Sequence, residues 1–346
     1  MVSLVIYLGC FTSSSIFGAV LQRTPMNSLN NKIKCIILFV LTLSAPVVLS
    51  TIRYNIGTDY INYEAWFIEL QNGKSVFEGE ILFNLLNVFA DKVFGEFWAV
   101  LFLSALIIYG FITLSLYNLR NSVSIALGIW IFNCFYFTAS LNIMRQIIAV
   151  AIVLYAITKM LEKKPLVAIV MFIIATLFHT TAIISFVFII IYYIGNINRS
   201  LYRYVLCTVA VLLILYGGEI IQILIEGLPE KYGLYFSSNL DGYVDIGFLI
   251  GRIPIITLLF LPIIISVILK IDFNNEYLFI SNILYFTVLI YILSYFWDYG
   301  GRSIFYFDIC QVICGPHLVY NSRRNKPLLY FIFVFRCYCY RCWRDR

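Results

Sequence analysis

The residue in this chain best equipped for chemistry is Arg145. In "SLNIMRQIIAVAIVLYAITKM", residues 140–160, it stands just inside a run that must otherwise meet lipid or other helices. An arginine at the bilayer centre costs about 2.5–3.5 kcal/mol, and nearer the interface it still needs a partner or water. On a helix, Asn142 and Gln146 would share a face with Arg145. Snorkelling to headgroups accounts for an edge arginine but leaves those polar neighbours unexplained. Arg302 repeats the pattern in "WDYGGRSIFYFD", with Gly300 and Gly301 for tight backbone, Asp298 before it and Tyr306 one turn on. Arg53 and Arg252 are two further edge arginines, of which Arg252 best fits plain headgroup binding. Arginine grips phosphate through a planar fork that lysine lacks. Guanidinium groups gathered from distant parts of one membrane face would suit the phosphate or pyrophosphate of a lipid carrier.

His179 closes the run "LVAIVMFIIATLF" and is followed by Thr180 and Thr181. An imidazole with an ordinary pKa of about 6.5 can take or give a proton near neutrality, although a histidine at a helix end is often only a cap. "RYNIGTDYINYEAW", residues 53–66, adds Asp59, able to pair with an arginine or accept from sugar hydroxyls. It also adds Tyr60 and Tyr63, whose faces suit sugar rings. Against them stands the aromatic belt of any membrane protein. His317, set among apolar residues, reads as structural. No Walker sequence, nucleophile elbow, metal-ligand cluster or paired CxxC motif is present, so neither an ATPase nor a metal hydrolase is supported, and no metal or cofactor is expected.

The elements that must position these residues are membrane helices. The chain of 346 residues is 62% hydrophobic and 12% charged, with a mean hydropathy of +0.92, too little polar surface for a water-soluble globule. Apolar runs of bilayer-crossing length follow one another, and period-two alternation, the mark of a β-barrel, is missing. The expectation is one all-α, polytopic transmembrane bundle filling residues 1–346. About eleven spans are expected, near 3–21, 34–52, 97–117, 122–138, 143–161, 165–178, 180–194, 204–224, 248–270, 277–295 and 303–320. With no positive residue ahead of it, 3–21 reads as a membrane helix rather than a cleaved signal. Residues 80–94, "EILFNLLNVFADKVF", fit an interfacial or re-entrant amphipathic helix with Glu80, Asn84, Asn87 and Asp91 turned to water. The tail 335–346 is atypical, breaking an apolar run with four arginines and three cysteines.

Lys and Arg set the orientation. Placing the amino terminus outside puts 13 of the 24 basic residues in cytoplasmic loops and 7 on the other face. The segments 53–96, 140–146, 178–181, 226–247 and 296–303 then all lie outside. The net charge of +6 reports this orientation, and nucleic acid is not an expected partner.

"RYNIGTDYINYEAWF", "EILFNLLN", "SLNIMRQIIAVAI", "LFHTTAII" and "GRSIFYF" together resemble the EpsG family of bacterial polysaccharide-export membrane proteins, grouped with the Wzy-type polymerases. The resemblance covers about residues 45–310. It implies a multi-pass protein of the bacterial inner membrane that elongates exopolysaccharide, capsule or O-antigen at the outer face. Undecaprenyl-pyrophosphate-linked oligosaccharides would be its substrates, with membrane lipids, a flippase and a chain-length regulator as further partners. Related folds imply metal-independent, inverting glycosyl transfer. On that basis Arg145 and Arg302 are assigned to the donor pyrophosphate and Arg53 to either pyrophosphate. His179 or Asp59 would orient or deprotonate the acceptor, with Tyr60, Tyr63, Asn142, Gln146, Asp298 and Tyr306 lining the sugars. A paired-carboxylate glycosidase site is not identifiable. A flippase of lipid-linked oligosaccharide and a glycan ligase are the alternatives.

Overall fold

The computed structural model describes residues 2–74, 79–197, 199–226, 243–268, 275–296 and 300–321. Most of the segment 226–247, Asp298 and the tail from residue 322 lie outside the described residues. Among the described residues there are helices and no strand. Two compact units emerge, one holding the residues up to Ile183 together with those from Gly315 onward, the other Ile184–Cys314.

The first unit contains α1 (Val2–Arg23), α2 (Leu29–Thr51), α3 (Tyr60–Gln71), α4 (Ile81–Phe94), α5 (Trp98–Asn118), α6 (Ile125–Asn142), α7 (Met144–Leu161) and α8 (Pro165–Phe178). Helix α7 is its centre. Nearly every side chain from Met144 to Leu161 is buried, with α5, α6 and α8 packed around it and α1 and α2 completing the layer. Lipid tails are as apolar as leucine, so close backbone approach and interhelical hydrogen bonds hold such helices together. Gly18 supplies the first, since a Cβ there would come within 2.8 Å of Ile129. Tyr109 supplies the second by donating to Asn133 Oδ1 at 2.8 Å.

The second unit contains α9 (Val187–Ile197), α10 (Arg199–Glu226), α11 (Ile246–Ile268), α12 (Asn275–Leu293) and α13 (Gly300–Asp308). Helix α14 (Gln311–Asn321) begins in it and ends in the first unit. Helix α10 kinks at Tyr216 (φ −131°, ψ 16°), where the freed carbonyl of Ile214 accepts from Val244 N–H at 2.9 Å. Beside the kink the fully buried Phe296 ring lies against the Cα of Gly217.

By length and composition six helices among the described residues can cross a membrane: α1, α2, α5, α6, α7 and residues 204–223 of α10. Shorter apolar helices cover 165–178, 180–193 and 278–293. The expected eleven spans are not reached on this criterion. The run 303–320 is one reason: it is not a single span but α13 and α14, of 9 and 11 residues, parted between Asp308 and Gln311. At 1.5 Å per residue neither crosses a core of about 30 Å.

Helix α4 has 14 residues, again too short to cross, but its polar stripe does not face water as expected. Glu80 and Asn87 are only 4% and 1% exposed, while Ile81, Leu85, Phe89 and Val93 form the open face. A helix bathed in lipid keeps its polar groups against protein, and Asn87 spends its amide on the Phe83 carbonyl at 2.8 Å. Asp91, nearer the helix end, pairs with Gln71 at 2.7 Å.

Gly217→Ala should therefore destabilise the protein. Elsewhere in a helix this change gains about 1 kcal/mol, but here the added methyl meets Phe296, and overpacking costs about 1–3 kcal/mol. Thermal unfolding in detergent should show a lower midpoint, and a smaller loss when Phe296→Leu is combined with it.

Candidate functional site

Where α6 ends and α7 begins, the chain has no proline or glycine to break it. The break at Ile143 (φ −95°, ψ 54°) is made by tertiary partners instead. Arg53 Nη1 donates to the Leu141 carbonyl and, at 3.4 Å, to that of Ile56, while Thr58 N–H donates to Asn142 Oδ1 at 2.8 Å. Gly57 (φ +109°) leaves space for Asn142, because a Cβ would strike its side chain. Asn142 thus closes one helix and Arg145 opens the next. The expected shared face of Asn142, Arg145 and Gln146 does not form, and Gln146 is buried on α7. Burial pulls the Arg53 guanidinium down to about 10, still charged at neutral pH.

Two residues into α7, Arg145 Nη1 meets Glu80 Oε2, and Glu80 Oε1 meets His179 Nδ1. Three distant segments therefore meet at one carboxylate. Gly79 (φ +81°), where L side chains are strained, turns the chain into α4, and a Cβ there would press Thr180 Cγ2 at 3.3 Å. His179 closes α8 in an extended conformation (φ −153°, ψ 119°), which releases its ring from the helix toward Glu80. Around the guanidinium of Arg145 stand the rings of Tyr63, Trp66 and Phe83, with centroids at 5.9, 5.3 and 5.9 Å. This aromatic wall suits a weakly hydrated planar cation.

Electrostatics follow from the burial. Burial alone would raise the Glu80 carboxyl, but the hydrogen bond from His179 and the charge of Arg145 outweigh it and hold the group below the ordinary carboxylate range. Burial pushes the Tyr63 phenol up against the opposing Arg145 charge. The side chains of Arg145 and His179 keep 24% and 18% of their surface open against 5% for Glu80, so the cation and the imidazole are reachable and the acid is not. An ionised carboxylate only accepts, so Nδ1 carries the proton. Nε2 makes no hydrogen bond among the described residues.

The other candidates fall elsewhere. Tyr60 is buried, its ring 5.4 Å from Phe97 and 5.8 Å from the Arg53 guanidinium. Asp59 precedes α3, half-buried, and makes no ion pair among the described residues. Arg302 is exposed on the first turn of α13 in the second unit, and Tyr306 is fully buried in that unit. The side chain of Arg252, on α11, lies outside the described residues, like Asp298. His317 is structural, its Nδ1 donating to the Ser122 carbonyl at 3.0 Å.

Glu80 was legible as a polar residue but not as a site residue. The signal was its position, an acid between Gly79 and the apolar "ILF", in a chain whose inward-facing Arg145 needed an anion.

A multi-pass helical membrane protein, with a buried acid clasping a cation and an imidazole on one face, is what the fold and site define. The chain belongs to the EpsG family, whose model matches residues 35–345, and members of the EpsG family are Wzy-like polysaccharide polymerases. No curated protein and no solved structure matches it.

Removing Glu80 strands both partners. Glu80→Ala should cost about 3–5 kcal/mol, as for other broken buried pairs, and Glu80→Gln less, read as the unfolding midpoint in detergent. The folded carboxyl titrates below its ordinary 4.5. Its stabilisation is therefore whole above that value and is lost as pH falls through the depressed one. Wild type should lose stability in that acidic window, and Glu80→Gln should lack this component.

Proposed function

We propose that this protein elongates a polysaccharide by transferring a growing glycan from undecaprenyl pyrophosphate to the next lipid-linked oligosaccharide, at the outer face of the bacterial inner membrane. The observation that carries the reading is the Glu80-anchored pair of Arg145 and His179. It presents a fixed cation and a proton acceptor side by side, and family membership supplies the substrate class.

In this reading the acceptor sugar hydroxyl gives its proton to His179 Nε2 as its oxygen attacks the anomeric carbon of the donor. The bond from that carbon to the pyrophosphate oxygen breaks, and its electron pair leaves on undecaprenyl pyrophosphate. Direct displacement inverts the anomeric centre. Glu80 stays ionised throughout, fixing the tautomer of His179 and stabilising the imidazolium that forms, the task an orienting carboxylate performs in other triads. Arg145 and the positive amino end of α7 face the developing diphosphate charge where little water competes. His179 is preferred over Asp59 as the base because an acid orients it. Asp59, with Tyr60 and Tyr63, is assigned to the acceptor side. Arg53 is assigned to positioning, since its guanidinium holds the α6–α7 break. Arg302, in the second unit, keeps its assignment to pyrophosphate on the family resemblance alone.

The test is the fate of lipid-linked intermediates in cells. His179→Ala, Arg145→Lys and Arg302→Lys should each lower long-chain glycan at least about a hundredfold, within the range of single catalytic groups, and accumulate single-unit undecaprenyl-linked product on the outer leaflet. Unchanged long chains in the first two variants would remove the assignment. Accumulation on the cytoplasmic leaflet would instead mark a flippase. Full-length glycan left on its lipid would mark a ligase.

A further inference from the structure

At the other end of α6 from Arg145 lies a cavity of about 370 Å³, lined by Gln22, Arg23, Arg120, Asn121, Ser124 and Tyr320 among others. The 18 residues of α6 separate it from the Glu80 cluster by about 27 Å at 1.5 Å per residue. It is a second site, independent of the reading above.

Its walls are fixed by the chain itself. Gln22 donates from Nε2 to the carbonyls of Arg120 and Val123, at 2.7 and 2.8 Å, and accepts from Ile125 N–H at 3.0 Å. Every hydrogen-bonding atom of that amide is spent holding the 119–125 turn. Helix α14 is tied to the same turn through His317 Nδ1 and Asn321 Nδ2, both on the Ser122 carbonyl, and through Ser124 N–H on the Pro316 carbonyl. Tyr320 thereby lines the same cavity as Arg120. The Arg120 guanidinium lies 4.4 Å over the Tyr117 ring and donates to the Tyr117 carbonyl at 3.3 Å, so its orientation is largely set in advance. Arg23 ends α1. Neither arginine has an acidic partner among the described residues, and no Asp or Glu lines the cavity. Arg23, Arg120, Asn121, Ser124 and the first turn of α6 thus line one space.

Arginines that only fix orientation need no shared cavity. Here Arg23 and Arg120 share one with Asn121 and Ser124, and Arg120 is held by stacking. We infer that this cavity binds a phosphate ester. In the proposed orientation it opens at the cytoplasmic headgroup level, where that chemistry comes either from a phospholipid headgroup or from a soluble phosphate.

The experiment uses the full chain, purified in a phosphate-free detergent and titrated separately with dihexanoyl-phosphatidylglycerol and with inorganic phosphate, binding being read by native mass spectrometry and by the unfolding midpoint. Arg23→Gln with Arg120→Gln should weaken binding at least about tenfold, as expected for lost charge-assisted hydrogen bonds. Ala126→Leu, which fills the cavity without touching its charge, should do the same. Arg120→Lys should lose part of the affinity. Loss confined to the lipid probe identifies a headgroup site, and loss with inorganic phosphate a site for soluble phosphate. If neither probe binds, or if the arginine pair or Ala126→Leu titrates like wild type, the inference is overturned.

Discussion

One carboxylate shared by two basic side chains organises one end of the first unit. Glu80 lies in surroundings that make an unpaired charge prohibitively costly, and Arg145 and His179 lie partly in the same surroundings. None of the three positions is acceptable alone. Together they require α4 to turn its polar side inward, Gly79 to take a left-handed turn, and α8 to end in an extended residue. Burial also separates the roles, because the carboxylate is the most deeply buried group and the two more open groups are the ones a substrate can reach.

The break between α6 and α7 is the complementary constraint. A continuous helix over residues 125–161 would carry Arg145 into its middle with all backbone groups satisfied. Arg53 and Thr58 instead satisfy the end of α6 from outside and so place Arg145 at the first turn of a new helix, where its charge and the backbone dipole have the same sign. Arg53 acts here through the backbone, its Nη1 on the Leu141 and Ile56 carbonyls.

Much of this was readable beforehand, and the residues that were not have physical reasons. Apolar run length located α1, α2, α5, α6, α7 and α8 because spanning a bilayer is a one-dimensional requirement. Arg145 and His179 stood out because each interrupts such a run. Glu80 did not, because it sat in a stripe that reads equally well as facing water, and periodicity carries phase but no direction. Water would have called the stripe outward, and lipid reverses the sign. The role of Arg53 was hidden for a different reason, since its partner is a main-chain carbonyl 88 residues away and a carbonyl leaves no trace in sequence. The run 303–320 misled because hydropathy alone does not register an interruption flanked by buried Asp308 and Gln311.

The pairing also has a direction in time. Ribosomes deliver the chain amino end first, so the acid precedes its guanidinium partner by 65 residues and its imidazole partner by 99. Until α8 has been made, Glu80 lacks its full set of partners, and an unpaired acid is costly to bury. Sealing the acid is thus a late step in biogenesis, and any nascent chain cut short of residue 179 offers membrane quality control a half-matched charge to detect.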